Sequence, residues 1–460
     1  MEKPQTVNIV EVCRVAPVPD LPSSASPKSL PLTLFDLLWL RFSPVQRLFF
    51  YEISCPNSSL FNSIIPKLKH SLSLTLHHFF PLCGNLIWPQ DSPKPIVSYV
   101  KGDGVSLTIA ESNMDFYHLS DNNNFRDVME CQPLIPNLEV SHEKASVMAL
   151  QVTVFPNSGF CIGITNHHAV LDGKTSISFV KSWARICKFD SPCLVPEHTP
   201  FYDRTVIKDP AGLETVYADA WLNLSGPNNR SLTLMDRPIE LGAVRGTFQL
   251  SGEDIEKLRK SVRGTEHSKR SSSSSTVRIS TFSIICGYAW ACVEKAKEKR
   301  ETRAALGFPV DCRRRLKPSN HPTYFGNCIM AAYVGLETEE LLGENGVSVT
   351  VEAINEAISG LEDGVLNGLE KWGSVISNSD KKSHVGFTTV AGSSRFEVYK
   401  TDFGWGTPRK VEITSIDRTG AISVADSPNG NGGVELGLVL KTQEMEAFAS
   451  LFAKGLEALI

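Results

Sequence analysis

The sequence predicts an α/β protein in two domains. Two stretches that switch from strand to helix period carry the prediction, and a proline-marked connection separates them. In the first stretch Leu150, Val152 and Val154 alternate with Gln151 and Thr153. After the turn signal Pro156-Asn157-Ser158-Gly159, Ile162 and Ile164 alternate with Gly163 and Thr165, so two half-buried strands are expected. From Thr175 the period becomes helical, with Ile177, Val180, Trp183, Ala184 and Cys187 on one face. In the second stretch a strand at residues 244–250 precedes a helix opened by Ser251 and Asp254, with Ile255, Leu258 and Val262 on one face; the opening is a near capping box. A chain of 460 residues exceeds one ordinary core, and two domains of roughly 200 residues are the natural division. Pro196, Pro200 and Pro210 mark the connection. The expected domains are residues 1–195 and 236–460, joined by a crossover over 196–235.

Along the chain, Val7 to Val15 reads as a strand, and a Pro- and Ser-rich connection follows. Residues 60–79 place Phe61, Ile64, Ile65, Leu68, Leu72, Leu76 and Phe79 at helical spacing, a core-facing amphipathic helix. Short strands and turns are expected from 84 to 111, then loops up to 140, and residues 192–219 show no strong period. Residues 265–276, with five consecutive serines, read as a surface loop. A helix from Thr281 runs apolar to Trp290 and charged from Glu294 to Arg303, its last turns solvated. Strands at 411–416, 422–425 and 434–440 follow, and Met445, Phe448, Phe452 and Leu456 face one side of a last helix.

Hydrophobic residues make up 42% and charged residues 21% of the chain, ordinary for a globular enzyme. A net charge of −4 gives no support to nucleic-acid binding. Eleven cysteines without a CxxC pair fit reduced thiols better than a disulfide framework. The polar start has no following apolar segment, and no apolar run approaches the ~20 residues that span a bilayer. A monomeric cytosolic protein with no membrane partner is expected.

Strand, turn and helix meet at Asn166-His167-His168-Ala169-Val170-Leu171-Asp172-Gly173. Three readings compete for His168 and Asp172. One is a structural histidine. Another is a metal site, which adjacent histidines at a strand end disfavour because they point to opposite faces, and a catalytic zinc needs three protein ligands. His77 and His78 also lack acidic or cysteine ligands nearby, so no metal is expected. The third is general-base catalysis, since imidazole titrates near neutral pH and can relay a proton from a hydroxyl to a leaving group. No Gly-x-Ser-x-Gly elbow occurs, and Ala391-Gly392-Ser393-Ser394-Arg395 lacks the second glycine. Gly430-Asn431-Gly432-Gly433 reads as a hairpin turn, not a phosphate loop. Direct transfer without a covalent enzyme intermediate is the simpler chemistry.

A second landmark is Asp402-Phe403-Gly404-Trp405-Gly406, about 230 residues after Asp172. HHAVLDG and DFGWG, in this order and spacing, resemble the paired signatures of the plant BAHD acyltransferases over the whole chain. Leu32-Thr33-Leu34-Phe35-Asp36 and Tyr324-Phe325-Gly326-Asn327-Cys328 are similar to the branch acting on anthocyanins, flavonoids and phenolic glucosides. HHAVLDGKTS is most like its phenolic glucoside malonyltransferases. The resemblance implies two domains of chloramphenicol-acetyltransferase-like fold, each with a mixed sheet and flanking helices, and a solvent channel between them. No bound cofactor is implied; acyl-CoA, expected to be malonyl-CoA, is the co-substrate, and a phenolic glycoside is the acceptor.

The resemblance makes His168 the general base. Asp172 is expected to brace the loop with Gly173 and to pair with Arg313. Asp402 is the second catalytic candidate, although a role in shaping the loop with Gly404, Trp405 and Gly406 suits it better than proton acceptance. Asn327 and Trp405 are candidates for the oxyanion donor. Ser280 and Thr281 match the family's Ser-Thr-Phe position for CoA, and Ser280 is equally an N-cap. Ser393 and Arg47 are further acyl-CoA candidates. A malonyl carboxylate needs a cation, and Arg41, Arg47 and Lys174 lie near the motifs. A hydroxycinnamoyl donor would need an apolar slot instead. Two other classes also fit the fold: a non-catalytic acyl-CoA-binding protein, and a condensation domain of peptide synthesis, which lacks DFGWG.

Overall fold

The computed structural model describes residues 6–18, 29–235, 237–269, 279–377 and 385–459. Two mixed sheets dominate it. The first has six strands in the order Val7–Val15, Val105–Ser112, Met148–Phe155, Gly159–Asn166, Val45–Glu52 and Lys410–Ile413. The second has seven, in the order Ile329–Glu337, Arg303–Asp311, Val385–Gly392, Ile422–Asp426, Val434–Lys441, Ala243–Leu250 and Arg126–Asp127. Parallel and antiparallel pairs mix in both. A four-stranded sheet adjoins them.

Each sheet borrows one strand from the other half of the chain. Lys410–Ile413 pairs with Val45–Glu52, and Arg126–Asp127 pairs with Ala243–Leu250. Ion pairs lock the exchange. Glu412 is held by Arg126 and Arg245, Asp417 by Arg245 and Glu435 by Lys410, all with buried side chains. One contiguous apolar core runs through both halves.

The first sheet presents the motif loop. Met148–Phe155 and Gly159–Asn166 form a hairpin in continuous register, with Asn166 opposite Met148. Helix Gly173–Phe189 packs on helix Ile65–His78, with Trp183 donating to Leu68 O at 3.2 Å.

Several sequence expectations need correction. Residues 213–223, placed in the connection, form a helix that buries Leu213, Tyr217, Ala218 and Trp221; it is too short to show a clear period. The helix after Ser251 continues to Lys269, beyond the loop start assigned at 265; residues 270–276 of that loop lie outside the described residues. The Thr281 helix ends at Ala296 with Glu294 buried, and Arg303 begins a strand. That strand was missed because Arg303–Asp311 is rich in Ala and carries Gly307 and Pro309, both poor strand formers. Its inner pairing stops at Gly307, so the missing N–H of Pro309 costs no bond there. Strands Ile329–Glu337 and Val385–Gly392 were missed too, and the strand expected at 411–416 is Lys410–Ile413.

Candidate functional site

The chain leaves strand Gly159–Asn166 and turns through His167–Leu171, and Asp172 then caps helix Gly173–Phe189. His167 is fully buried, its Nδ1 accepting from the Ala169 amide at 3.3 Å. Burial and the neighbouring imidazole push its pKa down to about 3, so it stays neutral. His168 is half-buried. Its Nδ1 is buried without a hydrogen-bond partner, which leaves Nε2 as the nitrogen a substrate reaches. Burial holds its pKa below the ordinary imidazole value, against the raising pull of its own carbonyl oxygen, Asp172 and Asn327. A neutral imidazole with a free Nε2 lone pair is the required form of a general base.

Asp172 does not orient that imidazole. Its Oδ1 accepts from the Thr175 amide at 2.9 Å, and its Oδ2 accepts from Arg313 Nη1 at 2.8 Å and from the Cys328 amide at 3.1 Å. Burial raises its carboxyl pKa, but Arg313 and the two amides outweigh it and hold the group below the usual carboxylate range. Arg313 is itself buried and also donates to Thr175 Oγ1 and to the carbonyls of Tyr324 and Gly326. Gly173 is required by space: a Cβ there would lie 2.8 Å from the Phe396 ring.

The imidazole plane is fixed by Trp39, a residue without an assigned role in the sequence reading. Its ring stacks on His168 with centroids 4.3 Å apart and planes 5° from parallel. Trp39 follows helix Leu34–Leu37, whose Asp36 is fully buried. Asp36 accepts from Thr33 N and Oγ1, at 2.9 Å each, and from Asn327 N and Nδ2 at 2.9 and 3.1 Å. Asn327 Nδ2 also donates to His168 O at 2.9 Å. The Leu32–Asp36 and Tyr324–Cys328 stretches thus meet beneath the histidine. Both amide protons of Asn327 are spent on these acceptors, which removes it as an oxyanion donor; a flipped amide would face two acceptors with its own oxygen. The sequence signal for Trp39 was its place three residues after Asp36, but its apolar neighbours Leu37, Leu38 and Leu40 hid it among core residues.

The DFGWG loop lies elsewhere. Asp402 Oδ1 accepts from the amides of Gly404 and Gly406 at 2.7 and 3.1 Å, and its Oδ2 accepts from Lys188 Nζ at 2.6 Å. Burial raises the Asp402 pKa, and Lys188 and the two amides bring it below the usual range. Gly404 and Gly406 have φ of 108° and 105°, values that favour glycine. Phe403 is buried against Trp183 and Tyr51, and Trp405 packs edge-on to Phe160 under Lys67. Phe160 and Lys188 sit at the ends of their strand and helix remote from His168. Six residues of strand span roughly 20 Å, and the helix from Asp172 to Lys188 about 24 Å. Asp402 therefore cannot exchange a proton with His168, and Trp405 cannot reach an oxyanion formed there. Of the two readings of Asp402, loop brace is the one its contacts fit.

The remaining candidates separate by their partners. Ser280 Oγ accepts from the Ser283 amide at 3.0 Å as an N-cap, and Thr281 Oγ1 accepts from Arg259 at 2.9 Å. Ser393 Oγ accepts from the Arg395 amide at 3.2 Å. Arg41 donates to Ser231 O and Asn229 O at 2.8 and 2.7 Å and stacks over Trp221, so its Nε edge pins the crossover. Lys174 pairs with Asp311 at 3.5 Å at the surface. Arg47 is buried and lines a cavity between the two large sheets. Among the described residues no cluster of three or more His, Cys, Asp or Glu is arranged for a metal ion, and no helix is long and apolar enough to cross a membrane.

The sequence pattern of the Transferase family matches residues 7–454. Phenolic glucoside malonyltransferase 1 of Arabidopsis thaliana is 41% identical, covering 99% of each chain. Malonyl-CoA:anthocyanidin 5-O-glucoside-6''-O-malonyltransferase of the same plant is 42% identical over 98% of each. Vinorine synthase, a solved structure, is 18% identical with a TM-score of 0.69, over 97% of this chain and 98% of its own; that likeness bears on the fold.

Proposed function

The chain belongs to the Transferase family of acyl-CoA-dependent BAHD acyltransferases, and from that premise we propose that it moves a malonyl group from malonyl-CoA to a sugar hydroxyl of a phenolic glucoside. The observation that carries the reading is the state of His168: neutral, held flat by Trp39, with Nε2 open and no carboxylate behind Nδ1. Residues 1–195 and 236–460 are the two lobes, joined through 196–235, and donor and acceptor meet between them.

Nε2 of His168 takes the proton of the acceptor hydroxyl as its oxygen attacks the thioester carbonyl. The tetrahedral oxyanion collapses, the carbon–sulfur bond breaks, and the imidazolium returns the proton to the leaving thiolate. An ester and free CoA thiol result, and the histidine is neutral again. Asp172 and Arg313 keep the loop in place without joining the proton transfer. Ser280, Thr281 and Ser393 are read as the CoA side of the channel, where hydroxyls and helix-end amides suit phosphate and pantetheine. All eleven cysteines are unpaired thiols, which supports a reducing, cytosolic setting.

Relatives named as malonyltransferases of phenolic and anthocyanidin glucosides support the donor and acceptor classes. The test is thiol release from malonyl-CoA, acetyl-CoA and coumaroyl-CoA with a panel of phenolic glucosides and their aglycones. Acceptor-dependent release with malonyl-CoA and glucosides is expected. Equal turnover of aglycones, or turnover with coumaroyl-CoA alone, would contradict the assignment.

A further inference from the structure

Arg47 stands on strand Val45–Glu52 and is 6% exposed. Among the described residues no hydrogen bond or ion pair reaches its guanidinium, and its Nε is buried without an acceptor. Burial lowers its pKa to about 10, and Asp426 is the carboxylate whose field opposes that. Asp426 is engaged elsewhere, accepting from the amides of Val398 and Tyr399 at 2.7 and 3.3 Å. The nearby acids Glu412, Asp417 and Glu435 are taken by Arg126, Arg245 and Lys410. Among the described residues around this cavity, Arg47 is the cation without such a partner. A buried charge without its counter-ion is costly, and an arginine fork suits a bidentate anion.

The cavity beside Arg47 has a volume of about 20 Å³. That is room for one or two water-sized groups, so a carboxylate fits. Two contacts tie it to the motif loop. Its wall residue Phe396 is the ring that packs on Gly173. Arg47 is paired with Ile164, four residues ahead of His168, so at most roughly 13 Å at strand rise separates them, within reach of an extended arginine and a three-carbon diacid together.

We propose that Arg47 is the counter-ion for the free carboxylate of the acyl donor, which enters this cavity while the thioester carbonyl lies at His168. The proposal rests on the malonyl reading for its ligand, and the cavity would then make the enzyme select a dicarboxylic monothioester over a simple acyl group.

The test compares Arg47→Met and Arg47→Lys with the wild-type protein. The kcat/KM ratio for malonyl-CoA over acetyl-CoA is expected to fall about 10- to 100-fold in Arg47→Met, the scale of a charged hydrogen bond, with Arg47→Lys between. Equal losses with both donors, or an unchanged ratio, would overturn the proposal. If the wild type transfers another acyl group and not malonyl, the donor reading fails. The Arg47 site is then judged separately by free malonate against acetate in thermal unfolding. Protection by malonate that is present in wild type and lost in Arg47→Met supports the anion site, and protection that is equal in both, or absent, removes it.

Discussion

The two signature loops occupy opposite ends of the same helix, Gly173–Phe189, and are built in opposite ways. At its N-terminus Asp172 is fully buried and bound to an arginine that is buried as well. At its C-terminus Asp402 meets Lys188 with both side chains partly in water. The first loop is fastened by residues from distant parts of the chain: Trp39 on the imidazole, Asn327 on the His168 carbonyl, Arg313 on Asp172. The second mostly fastens itself, through two amides two and four residues on. A motif that spends buried charge to hold one half-exposed ring is built for chemistry. A motif closed on its own backbone is a turn that sets where the chain goes next.

The largest effect that separates the two loops is expected from His168→Ala. Loss of the base should lower turnover about 10³-fold or more, within the usual range for general-base removal, with the melting temperature little changed. Turnover within tenfold of wild type would remove His168 from the mechanism. Next comes Asp172→Asn, which leaves Arg313 buried and uncompensated. It should cost about 3 kcal/mol of stability, read by denaturant unfolding, and activity should fall with it. A loss of rate at full stability would give Asp172 a direct electrostatic role.

Trp39→Leu tests the stack. Stability should drop modestly and kcat by about 10- to 100-fold, the scale of a misplaced catalytic group, with KM for both substrates nearly constant. Trp39→Phe keeps an aromatic face and should recover most of the loss. Phe as damaging as Leu would show that ring stacking is not what matters. The smallest effect belongs to Asp402→Asn. A partly exposed ion pair is worth about 0–1 kcal/mol, and kcat should stay within about threefold of wild type if the loop is a brace remote from the base.

The helix between the loops, and the hairpin that feeds it, were legible because their apolar residues repeat at a single period. Arg303–Asp311 was not, because two Ala, a Gly and a Pro interrupt a strand of nine residues whose stability comes from neighbours on both sides. The strand exchange was equally hidden. Arg126 and Glu412 are 286 residues apart, and neither stretch shows by composition that it completes the other half's sheet. Resemblance to a family supplied what spacing does not, the association of Asp172 with an arginine 141 residues away. It left Asp402 with two readings, proton acceptance and loop brace, and the carboxylate is occupied by its own loop. Trp39 lies just beyond the stretch singled out for its resemblance, and only the ring geometry distinguishes it from the leucines around it.

One neutral imidazole, unaided by either motif aspartate, takes the acceptor proton. The pH dependence of kcat/KM in wild type and in Asp402→Asn tests it most directly. A base must be unprotonated to act, and burial lowers the His168 pKa from 6.5, so the rate should hold down to about pH 6.5 and fall only as pH drops through the lower value. The same single acid limb, at the same pH, is predicted in Asp402→Asn. A limb that moves or vanishes in that variant would place Asp402 in the proton path and contradict the account.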